Sequence, residues 1–214
     1  MISKTQKFWD KQAKKYDYSE RQFGSVFKEI ILLTKNHLTT DDKVLDFGCA
    51  TGTKTLELAE SVKHIHGLDI STEMINEANK KVIERDFKNI SFTQGDLFDK
   101  DFENASFDKI ISYGVIHLLN DSDKVVRRLY DLLKPGGLFI SSTACLKDKM
   151  SFKNRLEFNA FLLIKKLGIF PLHLNMFKPE NVEEIFANQG FQIVKSETIF
   201  HGITISFIIA KKDK

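Results

Sequence analysis

The sequence predicts an α/β sandwich in which a mainly parallel sheet is covered by helices on both faces. Three observations lead there. Short apolar runs alternate with stretches of helical spacing through the middle of the chain, and parallel neighbours need such crossovers. The last two apolar runs are separated only by a short turn at Gly202, so the sheet closes with an antiparallel hairpin. The chain has 214 residues, 42% hydrophobic and 29% charged, which is enough for one core of ordinary size.

Two helices, 4–16 and 20–38, are expected before the first strand. Strands follow at 43–47, 64–69, 90–94, 109–113 and 138–142, with helices at 53–62, 72–86 and 122–133 between them. In the second of these, Met74, Ile75, Ala78 and Val82 recur at three or four residues, and Ser71-Thr72 offers a cap. Pro135-Gly136-Gly137 stops the third. Residues 145–176 leave the alternation, and within them 151–167 has the spacing of an amphipathic helix. A helix at 179–189 then leads through Gly190 to strands at 191–199 and 203–210.

Composition excludes several classes. The longest charge-free run near the C-terminus, 198–210, is too short for a bilayer, and the first residues lack the apolar centre of a secretory signal. Cys49 and Cys145 lie far apart without metal-ligand spacing, which fits a cytoplasmic location. A net charge of +3 is too small to argue for nucleic acid. The chain holds 19 Phe against 4 Tyr and 1 Trp. Nine of those Phe fall in 145–214, and 145–176 carries six Lys/Arg against two Asp/Glu.

The first strand and its loop, 44–52, carry the most chemical information. A strand, a glycine turn and a helix start form a ligand crevice. Gly48 and Gly52 let backbone approach a ligand, although a purely structural turn has the same look. The spacing Gly48-x-x-x-Gly52 is neither a dinucleotide fingerprint nor a phosphate loop, and Asp46 would repel a diphosphate while welcoming a cation. Asp69 ends the second strand, where a carboxylate accepts from ribose hydroxyls. Asp96 ends the third, within reach of an adenine amino group. Three carboxylates at three successive strand ends ask for a ligand or solvent to satisfy them.

These motifs, Asp46 to Gly52, Leu68-Asp69-Ile70, Gln94-Gly95-Asp96-Leu97, 107–117 and 133–138, resemble in content and order those of class I S-adenosylmethionine-dependent methyltransferases. The resemblance covers 40–144, and 8–17 is similar to the N-terminal helix of many small-molecule members. It implies a Rossmann-like three-layer sandwich with a seven-stranded, mostly parallel sheet and a helical insertion after the fifth strand. It also implies S-adenosylmethionine as cofactor. By the same resemblance, Asp46 and the loop Gly48, Cys49, Ala50 and Gly52 hold the methionine part. Asp69 binds the ribose with Ile70 and Met74 beside it, Asp96 and Leu97 frame the adenine, Ser112 lies under the methionine end, and Tyr16 closes over the amino-acid part. Ala50 stands where many members have glycine, and Leu118 where many have a second histidine.

A sulfonium-bound methyl group needs alignment with its acceptor more than an enzymic nucleophile. If a base is used, His117 is the first candidate and Tyr113 the second. His64 and His66 share a strand face without a third metal ligand. The expected organisation is one domain: an N-terminal helical cover (1–40), a cofactor core (41–144), an acceptor-lid insertion (145–176), and a C-terminal helix and hairpin (177–214). The expected activity is methyl transfer to a small, partly apolar acceptor, with nucleic acid not the expected partner. An RNA or protein methyltransferase, or a catalytically silent cofactor-binding protein, is the alternative. The basic, Phe-rich 151–176 segment leaves open a lid, a homodimer contact or a peripheral membrane contact.

Overall fold

A computed structural model describes residues 3–98, 102–166, 170 and 172–213. The strands are β1 (Lys43–Phe47), β2 (His64–Asp69), β3 (Ile90–Gln94), β4 (Phe107–Tyr113), β5 (Leu133–Met150), β6 (Phe191–Phe200) and β7 (Ile203–Lys212). They form one sheet in the order β3-β2-β1-β4-β5-β7-β6. Neighbours from β3 to β5 are parallel, and β7 runs antiparallel to both β5 and β6. The predicted Rossmann-like sheet with its terminal hairpin is therefore what the chain builds.

The helices are α1 (Lys4–Glu20), α2 (Gly24–Lys35), α3 (Thr53–Leu58), α4 (Thr72–Arg85), α5 (Ser122–Leu132), α6 (Phe152–Lys166) and α7 (Pro179–Asn188). Caps explain several boundaries. The Ser71 hydroxyl accepts from the Met74 N–H at 3.2 Å to start α4, and Asp121 accepts from Lys124 at 3.0 Å to start α5. Pro179 opens α7 at a position that tolerates its missing N–H.

Adjacent residues of the central strands feed opposite faces. Val44, Ile111, Ile140 and Ile209 pack with Ile30, Leu56 and Ile75, from α2, α3 and α4. Leu45, Ile110, Phe139 and Ile208 pack with Val126 and Leu129 of α5 and Phe186 of α7. All eight strand residues are fully buried, each worth about 1.5–3 kcal/mol of apolar burial. Both faces being apolar is why these strands read as continuous hydrophobic runs.

Several boundaries depart from expectation. The first helix runs to Glu20 rather than 16, and the second covers Gly24–Lys35 rather than 20–38. The helix expected over 53–62 is α-helical only to Leu58 and ends in a 3₁₀ turn, Ala59–Ser61. The fourth strand begins at Phe107 rather than 109. The fifth strand extends far beyond 138–142: it takes up Pro135-Gly136-Gly137 at one end and 145–150 at the other. The cause is its two partners: β4 pairs at the first end, Phe107 with Leu133, and β7 at the other. The ten-residue β7 pairs with β5 from Leu138↔Lys211 to Cys145↔Thr204, then after a register shift at Met150↔Ile203. The first residues of the expected insertion are thus sheet. The expected helix end at 167 lies outside the described residues.

Candidate active site

The chain order reverses between β1 and β4: from β1 it runs outward through β2 and β3, and from β4 through β5. In open α/β sheets that switch point, at the carboxyl ends of the strands, leaves a crevice for ligand. A cavity lies there. Its floor and walls come from the loops after β1, β2 and β4, and Thr5, Trp9 and Tyr16 of α1 cover it.

The β1 loop is shaped by backbone. Gly48 has φ 76°, and a Cβ there would fall 2.3 Å from a Val115 methyl carbon, so only glycine fits between β1 and the β4 loop. The Gly48 N–H donates to the Leu68 carbonyl at 2.8 Å, tying the loop to the end of β2. Ala50 follows with φ 49°, a left-handed conformation held by its own N–H, which donates to the Asp69 carboxylate at 3.0 Å.

Asp69 is the charged centre of the cavity. Its Oδ2 accepts from Ala50 and its Oδ1 from the Ser71 N–H at 2.9 Å. Each oxygen keeps further acceptor capacity. Burial raises its pKa above the ordinary carboxylate value, and the two N–H donors oppose that shift. Of the other predicted positions, Tyr16, Gly48, Ala50, Ile70 and Met74 also line the cavity.

The remaining predicted cofactor residues are not part of this lining. Asp46 is fully buried on the α3 side, where its Oδ2 accepts from the Thr55 hydroxyl at 2.5 Å. Burial pushes its carboxyl up to about 6. The reason is strand parity: Leu45 and Phe47 pack on the α5 face, so the side chain between them points the other way. Ser112 is also buried and donates to the Phe47 carbonyl at 3.0 Å, stitching β4 to β1. Cys49 and Leu97 are core residues, and Gly52 is the left-handed residue that starts α3. Asp96 is exposed, and its Oδ1 accepts from the Phe98 N–H at 2.9 Å.

The two candidate bases stand in different surroundings. Tyr113 lines the cavity, but its hydroxyl donates to the buried Thr34 at 2.7 Å, and burial drives the phenol far above its ordinary pKa. Its hydroxyl proton is thus engaged by Thr34. His117 sits on the 3₁₀ turn Ile116–Leu118 outside the lining, its Nδ1 buried without a partner. Burial holds its imidazole down at about 4, so it is neutral at physiological pH and a weak base. His64 and His66 both meet the Ser91 hydroxyl, at 3.0 and 2.9 Å.

Sequence reasoning missed Thr5 and Trp9, and also Gly95, Gly114, Val115, Leu118 and Leu119 as lining. Gly114 (φ 74°) faces open space, with nothing within 4 Å of where a Cβ would be. Its sequence signal was its place directly after the fourth strand. Trp9 had one signal, being the only tryptophan.

The site fits S-adenosylmethionine on its own chemistry. One enclosed carboxylate suits vicinal hydroxyls and a cationic ligand, glycine backbone permits close approach, and aromatic and aliphatic walls suit a flat base. Comparison with known proteins agrees. Residues 38–190 match the methyltransferase-domain family, and the chain belongs to that family. It is a class I S-adenosylmethionine-dependent methyltransferase. A demethylmenaquinone methyltransferase of Lactococcus lactis subsp. lactis is 30% identical over 193 residues, 80% of this chain and 74% of that protein. A Plasmodium falciparum phosphoethanolamine N-methyltransferase is 30% identical over 138 residues, 63% of this chain and 50% of that protein. The present chain therefore spans only half of that second relative. Among solved structures, Haemonchus contortus phosphoethanolamine N-methyltransferase 2, in complex with phosphomonomethylethanolamine and S-adenosylhomocysteine, shares the fold. It superposes with a TM-score of 0.71 at 20% identity, over 87% of this chain and 53% of that one.

Proposed function

We propose that this methyltransferase acts on a small, largely apolar acceptor without a charged group of its own. One observation carries the reading: among the described residues lining the cavity, Asp69 alone is charged. Val115, Leu118, Leu119, Trp9 and Thr5 offer no cation to an acceptor phosphate and no carboxylate to an acceptor amine. A buried, unpaired charge in such a wall would be expensive. The quinone-type acceptor named for the Lactococcus relative fits this lining better than the phosphoethanolamine named for the other.

S-adenosylmethionine supplies a methyl group already activated by its sulfonium. In this reading the chain's own residues bind, orient and exclude water. Asp69 accepts from the ribose hydroxyls, Ile70 and Met74 flank the ring system, and Tyr16 and Trp9 close the cavity from α1. Asp46 acts from behind, as a buried acidic neighbour that holds the first turn of α3 through Thr55. Among the described lining residues no histidine is present, so this reading uses an acceptor that reacts without a histidine base.

Calorimetry tests the cofactor half. Replacing Asp69 with Asn should weaken S-adenosylmethionine binding by about 10- to 100-fold, the range for a hydrogen bond to a charged group. Unchanged affinity would refute the placement. Labelled methyl transfer tests the acceptor half, offering a phenolic or quinol acceptor beside an aminoalkyl phosphate. Label entering the aminoalkyl phosphate, or entering RNase- or protease-sensitive material, would overturn the acceptor reading. Cofactor binding without transfer to any acceptor would make this a silent binding protein.

A further inference from the structure

Helix α6 contains no buried residue, which is unusual for a 15-residue helix with this much Phe and Leu. It is apolar on two faces. One face, with Phe158 and Phe161 partly buried, lies toward the protein, and Ser151 caps the helix there while its N–H donates to the Gly202 carbonyl at 2.8 Å. The other face is open: Phe152 is 85% exposed, Leu156 64% and Leu163 63%. At 100° per residue those three fall within about 40° of one another, a single stripe along the helix. Ile164, 44% exposed, lies apart from this stripe.

The charges beside the stripe are mostly positive. The helix carries Lys153, Arg155, Lys165 and Lys166 against Glu157 alone. Lys153, Arg155 and Lys166 are exposed. An apolar stripe edged by cations complements an anionic bilayer, whose acyl boundary takes the apolar side chains while its headgroups meet the cations. Among the described residues no helix is long and apolar enough to cross a membrane, so the contact would be one of lying on the surface.

The packed face of α6 joins the cavity through a row of rings. Phe161 meets Phe170 at 4.6 Å between centroids, Phe170 meets Phe8 at 5.2 Å, and Phe8 meets Trp9 at 5.2 Å. Trp9 is part of the cavity lining. The packed face and the cavity are thus two ends of one aromatic row, with the open stripe on the opposite side of the same helix.

We propose that α6 docks the enzyme on an anionic lipid surface through Phe152, Leu156 and Leu163, placing the cavity beside a bilayer in which its acceptor dissolves. This rests on the apolar-acceptor reading above for its purpose, but the docking is testable by itself. The full chain is mixed with vesicles of phosphatidylcholine containing phosphatidylglycerol, and with vesicles of phosphatidylcholine alone, and bound protein is measured by sedimentation. Binding is expected to the anionic vesicles and to weaken as salt is raised. The double variant Phe152→Asp/Leu156→Asp should lose about tenfold or more, because two charges replace the inserted side chains. A second variant, Arg155→Gln/Lys166→Gln, keeps the apolar stripe and should lose about fivefold for each cation removed.

Both variants should bind S-adenosylmethionine in calorimetry as the parent does, which certifies their fold. Absence of binding to anionic vesicles overturns the proposal, as does binding that neither variant weakens. A parent that sediments as a dimer, with the double variant a monomer, also overturns it by showing that a second copy covers the face. Failure of the parent to bind S-adenosylmethionine would strike the pocket reading instead, and is read independently of the vesicles.

Discussion

Asp46 shows how a motif residue acts from outside the cavity. Its carboxyl, ordinarily titrating near 3.8, is raised to about 6 by burial, with Asp69 adding to the shift and Thr55 and Lys54 opposing it. Between those two values the folded state keeps the proton and the unfolded state has lost it, so this group's contribution to stability falls as pH rises. Its full effect, about 3 kcal/mol for a shift of this size, is present below pH 4 and lost above pH 6. Asn at this position cannot ionise and keeps an acceptor for the Thr55 hydroxyl. Asp46→Asn should therefore be more stable than the parent at pH 7.5, with the gap closing toward pH 4.5. Melting curves of both proteins across that range check it; a gap that widens on acidification would contradict the sign. Asp17 and Asp108, whose pKa values are lowered, tilt both proteins alike and cancel in the difference. At the same scale, His117→Gln should keep kcat within about tenfold, since a side chain acting as general base commonly contributes 100-fold or more. A larger loss that follows the imidazole titration in the pH profile would restore His117 as a base.

Helix α1 is the element whose stability and function are most closely joined. Its only buried residue is Ala13, which packs with Ala50 and Met74 beside Trp9 and Tyr16, and polar stitches add to this small cluster. Asp10 accepts from the Ser71 hydroxyl at 2.7 Å and the Glu73 N–H at 3.2 Å, giving the start of α4 a second cap from another helix. Asp17 accepts from the Thr51 hydroxyl and from Lys81, both at 2.5 Å. Such an element opens at lower free energy than the sheet. Asp10→Ala should cost roughly 1 kcal/mol, as the loss of a cap does. Hydrogen exchange through Lys4–Glu20 should quicken, and cofactor affinity should fall severalfold because Tyr16 and Trp9 travel with the helix. Unaltered exchange in α1 would show that Asp10 does not hold it. A helix at 4–16 was legible in the sequence, as was Tyr16 over the ligand by resemblance, but not the polar partners of Asp10 and Asp17. The strands were legible at their centres because both faces of the sheet are apolar, and illegible at their ends because pairing sets the ends, as β7 does for β5. The same two-sided burial hid the orientation of Asp46 and Ser112. Parity separates neighbours such as Leu45 and Asp46, but a strand apolar on both sides does not say which face meets the ligand. Asp69, Ile70 and Gly48 were legible because they lie in loops at strand ends, where the backbone itself makes the crevice.

In the whole molecule, the cavity lies where two halves of the sheet diverge, and its lining comes from α1, from the loops after β1 and β2, from Gly95 after β3, from Met74 of α4 and from the turn after β4. A ligand held there bridges segments far apart in sequence, and its binding energy adds to the stability of the closed form alone. At S-adenosylmethionine a hundredfold above its Kd, linkage gives about 2.7 kcal/mol. For a chain of this length about 2–4 °C accompanies each kcal/mol. Melting should therefore rise by roughly 5–10 °C on saturation, and Asp69→Asn should remove most of that rise at the same ligand concentration. The gain should also be unevenly placed. Exchange should slow most in α1 and in the loop from Gly48 to Gly52, whose open forms ligand excludes, and least in α6, which contributes no residue to the cavity. Protection of α6 equal to that of α1 would mean that the two move as one lid, joined through the Phe161–Phe170–Phe8 contacts. Protection confined to α1 and the β1 loop would leave α6 a fixed platform whose outer face serves a surface rather than the closing of the cavity.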